Sequence, residues 1–253
     1  MSVGMLRSKR YVGHRMHRPN RPLSFEAAGR TDRGKVREVN EDSVAVRSDI
    51  GLFVVADGLA RSPGGAVASS LAVRAIVRFF ERSRRLSPLD LRHAEEERSR
   101  LVRAFRRANE RIAAAARREP EHYRMATTLA ALALVGNRAV LAHVGDSRVY
   151  RVRAGRLERL TADHSVGEDA TWRAENPGAP DLDNPAKQHL LTEVVGRGEP
   201  FWIATRIEPI LRGDVLLVAT DGLWGALWDD LILLAFQKYR TAPKPPDGHT
   251  AAD

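Results

Sequence analysis

The alternation of apolar and polar positions along this 253-residue chain predicts two groups of β-strands separated by helices. Residues 43–47 alternate, as in a strand with one buried face, whereas residues 51–56 are apolar throughout, as in a strand buried on both faces. The other predicted strands are 125–135, 138–144, 147–153, 190–195, 202–207 and 214–219. Residues 163–189 are polar and rich in Asp, Asn and Pro, which predicts a loop.

Two long helices are predicted between the strand groups. The residues after the glycine pair at 64–65 carry apolar side chains four positions apart as far as Phe80, and these form a wide core-facing stripe. A second helix is predicted from about Pro88 to Arg118, and Asp229 and Asp230 are predicted to cap a later one. The order of strands, helices and strands favours an α+β fold with antiparallel sheets over a wound sheet of βαβ units.

The composition is typical of a soluble globular protein, with 43% hydrophobic and 29% charged residues. No apolar stretch is long enough to span a bilayer, and no apolar core follows the basic N-terminus as it does in a secretory signal. The absence of cysteine excludes disulfides, thiolate metal sites and cysteine nucleophiles, and it fits a reducing compartment. We therefore expect a cytoplasmic protein without membrane insertion.

Charge sets the N-terminal segment apart. Residues 1–23 contain six Lys or Arg residues and no acidic residue, so they supply +6 of the net charge of +9 and are predicted to form a disordered basic arm. Contact of this arm with nucleic acid or anionic lipid is an alternative, but no motif for reading nucleic acid accompanies it. Residues 24–240 are predicted to form the folded domain, and residues 241–253 a polar tail.

Four short acidic motifs are the strongest chemical signal in the chain. They are NEDS at 40–43, VVADG at 54–58, VGDSR at 144–148 and VATDG at 218–222. Three of them place an aspartate at or just after the end of an apolar strand, namely Asp57, Asp146 and Asp221. Carboxylates that share a cleft repel one another unless cations neutralise them, and Mg²⁺ and Mn²⁺ prefer oxygen ligands. The pattern therefore predicts a metal-assisted enzyme.

Asp57 and Asp221 share a local context that has two interpretations. Each follows a buried strand and precedes a glycine, Gly58 or Gly222. Such a pair can simply close a strand with an Asp-Gly turn. Alternatively, the missing side chain of Gly58 lets its backbone approach a ligand, so that its carbonyl joins the aspartate in binding a cation. The repetition of this arrangement after two strands favours the second interpretation.

The other acidic candidates also have structural alternatives. Asp146 could support a cation site, or it could accept backbone N–H groups in a turn. Glu41 and Asp42 are adjacent, and at the end of a loop both could reach one water shell around a cation. Their alternative is a solvated acidic turn.

Among basic residues, Arg37 is the preferred candidate for gripping a phosphate through two parallel hydrogen bonds, ahead of Arg33 and Lys35. Any of the three could equally be an ordinary surface residue. His143 lies in an apolar strand and is expected to be a core residue, whereas His164 lies in a loop and could act as a catalytic acid. No Ser-His-Asp spacing, phosphate-binding lysine loop or His-x-x-x-His pair is present.

Taken in order, these motifs resemble the metal-dependent protein serine/threonine phosphatases, the PPM or type 2C family, in the bacterial form. The resemblance covers roughly residues 25–228, and its specificity comes from six blocks in family order rather than from any single motif. The blocks are TDRGKVREVNEDS at 31–43, FVVADG at 53–58 with GGAVAS at 64–69, MATTLAALAL at 125–134, VLAHVGDSRVYRVRAGRLERLTADHS at 140–165, LLTEVVG at 190–196 and DVLLVATDGLW at 214–224.

The resemblance implies an α-β-β-α sandwich, that is, two antiparallel sheets flanked by helices, within a catalytic domain at 24–240. It also implies that two Mg²⁺ or Mn²⁺ ions activate a water that attacks the phosphorus of a phosphoserine or phosphothreonine. By the family pattern, Asp57 bridges the two ions, Gly58 offers its carbonyl and Asp221 holds the second ion.

The resemblance gives four further residues supporting roles. Glu41 and Asp42 act on the ions through waters, and Asp146 supports a third, weaker metal site. Arg37 binds the substrate phosphate and is expected to be catalytic together with the two strand-ending aspartates.

Three departures from the family pattern bear on activity. A Gly-Gly-His-like stretch is replaced by residues 59–62, which include the bulky cation Arg61, and the acidic residue expected four positions after Asp221 is Gly225. The family's last strand opens with an Asp-Asn pair whose aspartate completes the second metal site. Here Asp247 is followed by a glycine and by no strand-like pattern, so it is a poor substitute for this aspartate. The last strand is therefore expected to be missing.

Two functional hypotheses follow. The first is a Mg²⁺- or Mn²⁺-dependent phosphoprotein phosphatase whose metal affinity and activity are reduced by the lost carboxylate. The alternative is a catalytically impaired module that binds phosphoproteins or regulates a kinase. The expected partners are phosphoproteins made by a serine/threonine kinase, the expected state is a monomer, and nucleic-acid binding is the least favoured hypothesis.

Overall fold

Apolar strands form two five-stranded antiparallel sheets in the computed structural model of the protein. The structure describes residues 2–8, 24–59, 64–82, 91–118, 121, 124–176, 184, 187–198 and 201–241. The strands are β1 Ser2–Ser8, β2 Phe25–Thr31, β3 Asp42–Arg47, β4 Leu52–Asp57, β5 Leu129–Val135, β6 Arg138–Val144, β7 Arg148–Arg153, β8 Arg156–Arg159, β9 Ala204–Pro209 and β10 Val215–Ala219. The helices are α1 Gly65–Arg82, α2 Leu91–Arg118, α3 Ala170–Glu175, α4 Asp221–Trp224 and α5 Asp229–Thr241.

The strand orders are β2-β1-β10-β7-β8 in one sheet and β3-β4-β5-β6-β9 in the other. Side chains of β4 show how the layers are built, because successive residues of a strand face opposite sides. Leu52, Val54 and Ala56 lie in the core formed with α1 and α2. Phe53 and Val55 lie in the core between the two sheets. A strand that buries both faces needs an unbroken apolar run, as the sequence of β4 has.

The opposite sheet is covered by α5. Leu216 and Val218 of β10 contribute to the core between the sheets, whereas Leu217 belongs to a separate core with Ile232 and Phe236 of α5. The order of layers is therefore helix, sheet, sheet, helix, and the predicted α-β-β-α sandwich of antiparallel sheets is confirmed. No helix in the described part of the chain is long and apolar enough to cross a membrane.

Three element predictions differ from the structure. The strand predicted at 125–135 begins only at Leu129, because Thr127 and its neighbours form isolated bridges and side-chain contacts instead of a regular ladder. The segment 190–195, predicted as a strand, makes only isolated bridges at Leu191 and Val195. The loop predicted at 163–189 contains the short helix α3.

The predicted disordered arm is wrong for residues 2–8, which form strand β1 between β2 and β10. Backbone hydrogen bonds to two neighbouring strands order this segment. Such pairing depends little on side-chain charge, so a net-charge argument could not detect it. The rest of the predicted arm, residues 9–23, lies outside the described residues.

At the other end, α5 is the last element in the described part of the chain, and no strand follows it there. Of the predicted polar tail, only Thr241 lies among the described residues. Asp229 and Asp230 lie in the first turn of α5 rather than at the preceding cap position. In the first turn, their negative charges face the positive end of the helix dipole favourably.

Candidate active site

Carboxylates from both sheets converge where several strands end. Asp57 is the last residue of β4 and pairs in register with Asp42 of β3. Asp221 starts α4 directly after β10, and Asp146 lies between β6 and β7. Burial raises the pKa of Asp57 to about 10, and the carboxylates of Asp221, Asp42 and Asp146 contribute in the same direction. The structure thus brings together four aspartates that are far apart in the sequence.

The pKa values of Asp146, within this cluster, and of Glu41, beside it, are also raised. Burial raises the pKa of Asp146 to about 7, with Asp221 contributing in the same direction and Arg148 opposing it. Burial also raises the pKa of Glu41, which the positive charge of Arg37 opposes. Arg37 is exposed, so its guanidinium lies beside the cluster and remains open to solvent.

The chemistry of these donors fits hard divalent cations. The main influences on Asp57 all raise its pKa, and no protein cation is among them. Within the described ranges, no group of three or more His, Asp or Glu side chains could hold an ion by itself. An ion bound here would therefore keep several waters, as Mg²⁺ usually does in proteins.

The backbone of Asp57 is held by two consecutive threonines. The Thr128 amide donates to the Asp57 carbonyl at 2.9 Å, and the Thr127 hydroxyl donates to the same oxygen at 2.8 Å. In return, the Asp57 amide donates to Thr128 Oγ1 at 3.1 Å. These bonds fix where β4 ends and hence where the carboxylate of Asp57 lies. The threonine pair was part of a family block in the sequence, but no local signal there assigned it this role.

Thr128 also contacts the loop that carries Asp146. Its hydroxyl lies 2.8 Å from Ser147 Oγ, and a Cβ at Gly145 would stand 2.7 Å from Thr128 Cγ2. Gly145 has a φ of +93°, a conformation that favours glycine. Thr128 therefore joins the Asp57 and Asp146 strand ends into one unit.

The Asp-Gly turn after β4 is crowded by backbone. The Gly58 amide donates to the Glu41 carbonyl at 3.1 Å, and a Cβ at Gly58 would lie 2.2 Å from the Gly65 carbonyl oxygen. Ser69 Oγ donates to the same Glu41 carbonyl at 2.6 Å. Because α1 begins at Gly65, the start of this helix packs directly against the turn. Gly58 is therefore crowded by protein backbone, and the predicted role of its carbonyl in binding a cation stays a prediction.

Two polar contacts fix the remaining sides of the cluster. Thr220 Oγ1 donates to Asp42 Oδ2 at 2.9 Å, which ties the end of β10 to β3. Arg148 makes a bidentate pair with Asp163, with its Nη2 2.6 Å from Oδ2, and its guanidinium carbon lies 3.5 Å from the centre of the Trp224 ring. Because Trp224 belongs to α4, Arg148 anchors the helix that begins with the active-site aspartate. Sequence reasoning missed this pair.

The structure accounts for one departure from the family pattern. Gly225 follows α4 and donates to the Asp221 carbonyl at 2.7 Å, and a Cβ at Gly225 would also lie 2.7 Å from that oxygen. A larger residue would therefore disturb the turn that positions Asp221. Arg61 and Asp247 lie outside the described residues.

Thr128→Val is expected to lower the free energy of unfolding by about 1–3 kcal/mol, because it removes the hydroxyl acceptor of a buried amide while keeping the side-chain shape. The Mn²⁺ concentration that gives half-maximal activity should rise about 10-fold, because the strand ends lose their shared contact. Denaturant unfolding and metal titration measure the two effects. Thr171→Val, at an exposed position in α3, is the control. An unchanged metal dependence would contradict the linking role.

Comparisons with known proteins agree with this geometry. The family model described as protein phosphatase 2C matches residues 31–242. Over 202 residues, the chain is 32% identical to the serine/threonine phosphatase stp of Listeria monocytogenes, covering 79% of this chain and 78% of that protein. It is also 32% identical over 221 residues to the serine/threonine protein phosphatase PstP of Mycobacterium tuberculosis. That match covers 85% of this chain and 39% of the longer protein.

Solved structures show the same similarity. The catalytic domain of the serine/threonine protein phosphatase PstP, crystallised with two manganese ions, superposes with a TM-score of 0.67 at 29% identity. The match covers 94% of this chain and 86% of that one. PppA of Pseudomonas aeruginosa, a regulatory component of a type VI secretion system, superposes with a TM-score of 0.66 at 27% identity, covering 97% and 88% of the two chains.

Proposed function

The chain belongs to the protein phosphatase 2C family, and we propose that it hydrolyses phosphoserine and phosphothreonine esters on proteins with the help of Mg²⁺ or Mn²⁺. The observation that carries this function is the convergence of Asp57, Asp221, Asp42 and Asp146 at strand ends from both sheets. Carboxylates that repel one another in a shared, partly desolvated cluster favour the binding of metal ions.

In this proposal, Asp57, Asp221 and the Gly58 carbonyl hold two ions, while Glu41 and Asp42 act through water. When bound, the ions lower the pKa of water and neutralise charge on the phosphoryl group. This division agrees with the described carboxylates being too few around any one point to hold an ion alone. Asp146, which lies one loop away, is proposed to support a third, weaker site.

The chain's own residues orient the reaction. Thr127 and Thr128 fix the position of Asp57 through its backbone, and Thr220 orients the carboxylate of Asp42. Arg37 is proposed to bind the substrate phosphate. Its exposure beside Glu41 supports this role, because a guanidinium that is open to solvent can form two parallel hydrogen bonds to an incoming phosphate.

Reduced activity remains part of the proposal. The carboxylate that the family supplies from a last strand has no counterpart among the described residues, which end in α5. The second ion would then have one charged ligand fewer, and its affinity would be lower. We also propose a serine/threonine kinase as the source of the substrates, a monomeric state and a cytoplasmic location, which the absence of cysteine supports.

Purified protein is expected to release phosphate from a phosphothreonine peptide in millimolar Mn²⁺ and to lose this activity in excess chelator, because the carboxylate cluster cannot act without cations. Phosphate release should return when Mn²⁺ is added back. Hydrolysis that continues in chelator would contradict the metal-dependent mechanism. If folded protein binds the peptide but never cleaves it at any Mn²⁺ concentration, the impaired binding module is favoured instead.

A further inference from the structure

A cavity of about 480 Å³ lies next to the loop that carries Asp146, since its lining residue His164 is hydrogen-bonded to Gly145. It is enclosed by β6, by the start of β9 and by the segment that runs from β8 into α3. The residues that define its chemistry are His143, His164, Asp169, Trp172, Glu193 and Trp202. The proposed phosphatase chemistry uses none of them.

Two carboxylates at this cavity have no partner of opposite charge among the described residues. Asp169 accepts hydrogen bonds from the Trp172 amide at 2.9 Å and from Thr192 Oγ1 at 2.7 Å. Burial raises the pKa of Glu193, with the Trp202 backbone amide opposing this shift and the charge of Asp169 contributing to it. Like charges placed together in this way favour a cation between them.

Three other ionised groups at the cavity are already compensated. Asp163, Glu168 and Arg206 line it and are ion-paired with neighbouring arginines or glutamates. Glu175 adds a third, exposed carboxylate. The uncompensated charge of this cavity is therefore negative, in contrast to the net charge of +9 of the whole chain.

His164 supplies a hydrogen-bond donor, whereas the two carboxylates supply acceptors. Its side chain is 6% exposed, and its Nδ1 accepts from the Gly145 amide at 3.4 Å. Burial lowers the pKa of His164 to about 4, so the ring is neutral and its single proton lies on Nε2. This Nε2–H group has no hydrogen-bond partner in the described part of the protein. Nδ1 faces Gly145, and the His164 side chain lines the cavity next to the His143 ring, with 4.8 Å between the ring centres.

Aromatic surface completes the site. Trp202 is 66% exposed, and Trp172 is half-buried on α3. Indole faces attract guanidinium groups and also pack against the apolar stem of an arginine. Tryptophan is enriched at surfaces that bind other proteins, where it often anchors the contact.

We propose that this cavity binds an arginine side chain of the phosphoprotein substrate, an inference that rests on the proposed phosphatase function. The guanidinium meets the carboxylates of Asp169 and Glu193 between the tryptophans, and a carbonyl of the same peptide accepts from His164 Nε2–H. A simple amine satisfies only the carboxylates.

His164 connects the cavity to the loop that carries Asp146. The His164 amide donates to the Gly145 carbonyl at 3.1 Å, so backbone and side chain of His164 both bond Gly145. Asp146 is the next residue. An arginine bound in the cavity therefore holds the peptide one loop away from the aspartate cluster, which makes the cavity a specificity site for residues near the phosphorylated one.

The test uses phosphothreonine peptides in which arginine is moved through the positions flanking the phosphothreonine, each compared with its citrulline counterpart, a neutral analogue of the same shape. At one position, arginine should raise kcat/KM about 10-fold over citrulline, mainly by lowering KM, as expected for a charge-assisted contact. Glu193→Gln and Trp202→Ala should each reduce this preference to about 2-fold. Hydrolysis of p-nitrophenyl phosphate and of the citrulline peptides should be unchanged in both variants.

Glu110→Gln, at an exposed position of α2, is the matched control and should keep the full arginine preference. The proposal is overturned if wild-type protein shows no preference at any position, or if Glu193→Gln retains it. Failure of all hydrolysis, p-nitrophenyl phosphate included, would count against the phosphatase function instead. Binding then decides the inference: tighter binding of arginine than of citrulline phosphopeptides, lost in Glu193→Gln, supports it, and equal binding overturns it.

Discussion

Asp57→Asn is expected to lower Mn²⁺-dependent kcat/KM by about 10³-fold or more, the largest effect of any single substitution in this chain. The amide keeps the shape of the side chain but removes the charge that is proposed to hold both ions. Initial rates on a phosphothreonine peptide across a range of Mn²⁺ concentrations measure the loss. High Mn²⁺ should not restore the rate if the carboxylate itself is required.

The same variant tests the electrostatics of the metal-free site. The folded protein holds the Asp57 proton to a pKa of about 10, whereas an unfolded chain releases it near the ordinary pKa of 3.8. The folded state thus binds more protons between these values, so the free energy of unfolding of the chelated protein falls as pH rises through this window. Asparagine has no titratable proton and stays neutral. In chelator, Asp57→Asn should therefore be more stable than wild type by about 1–3 kcal/mol at mildly alkaline pH.

Asp49→Asn is the control, because Asp49 is an exposed carboxylate paired with Arg47, outside the cluster. It should leave both activity and the pH slope of stability unchanged. Thermal unfolding with and without Mn²⁺ shows whether the metal stabilises wild type and Asp49→Asn but not Asp57→Asn. Equal stabilisation of all three proteins would show that the ions bind elsewhere.

Gly58→Ala is expected to cost about 2–4 kcal/mol of folding free energy and most of the activity. Its Cβ would stand 2.2 Å from the Gly65 carbonyl oxygen and 2.9 Å from the Glu41 carbonyl oxygen. Both obstacles are backbone, so relief requires β4, β3 or the start of α1 to move. Such a shift displaces the Asp57 carboxylate as well. Denaturant unfolding and peptide hydrolysis measure the two losses.

Gly213→Ala separates steric crowding from backbone strain. Gly213 has a φ of +90°, and a methyl group added there would meet nothing within 4 Å beyond its chain neighbours, so the substitution carries only the cost of a left-handed backbone. That cost is about 1 kcal/mol, with activity retained. If Gly58→Ala were no more harmful than Gly213→Ala, the close packing of the Asp-Gly turn against α1 would not be needed for the site.

The candidate residues themselves were accessible from the sequence to different degrees. Asp57 and Asp221 were found because each ends a buried apolar strand, and strand ends converge at the edges of a sandwich. The supporting threonines 127 and 128 could not be assigned a role in this way, since their partners lie about seventy residues away along the chain. The roles of the site residues in binding metal and phosphate stay predictions, although the structure brings the aspartates together.

The same distinction explains the errors. The apolar runs of β4 and β10 predicted strands correctly because double burial leaves no polar positions. Segment 190–195 has apolar residues at both ends and was also predicted as a strand, but it meets its neighbours only at isolated bridges, because ladder formation depends on which backbone lies alongside. Residues 2–8 show the reverse case, in which a segment predicted to be a charged arm is ordered by the strands on either side.

By itself, the sequence determined an α+β fold with antiparallel sheets and a demand for cations, because burial periodicity and strand-ending aspartates are local patterns that a linear chain displays. The order of the layers and the family followed from the resemblance carried by six motif blocks. Only the tertiary structure decided where β1 inserts, how Thr128 joins the Asp57 and Asp146 loops, and that His164, Glu193 and Trp202 surround one cavity. These features arise from contacts between segments distant along the chain, and the free energy of each contact depends on geometry that no single segment encodes.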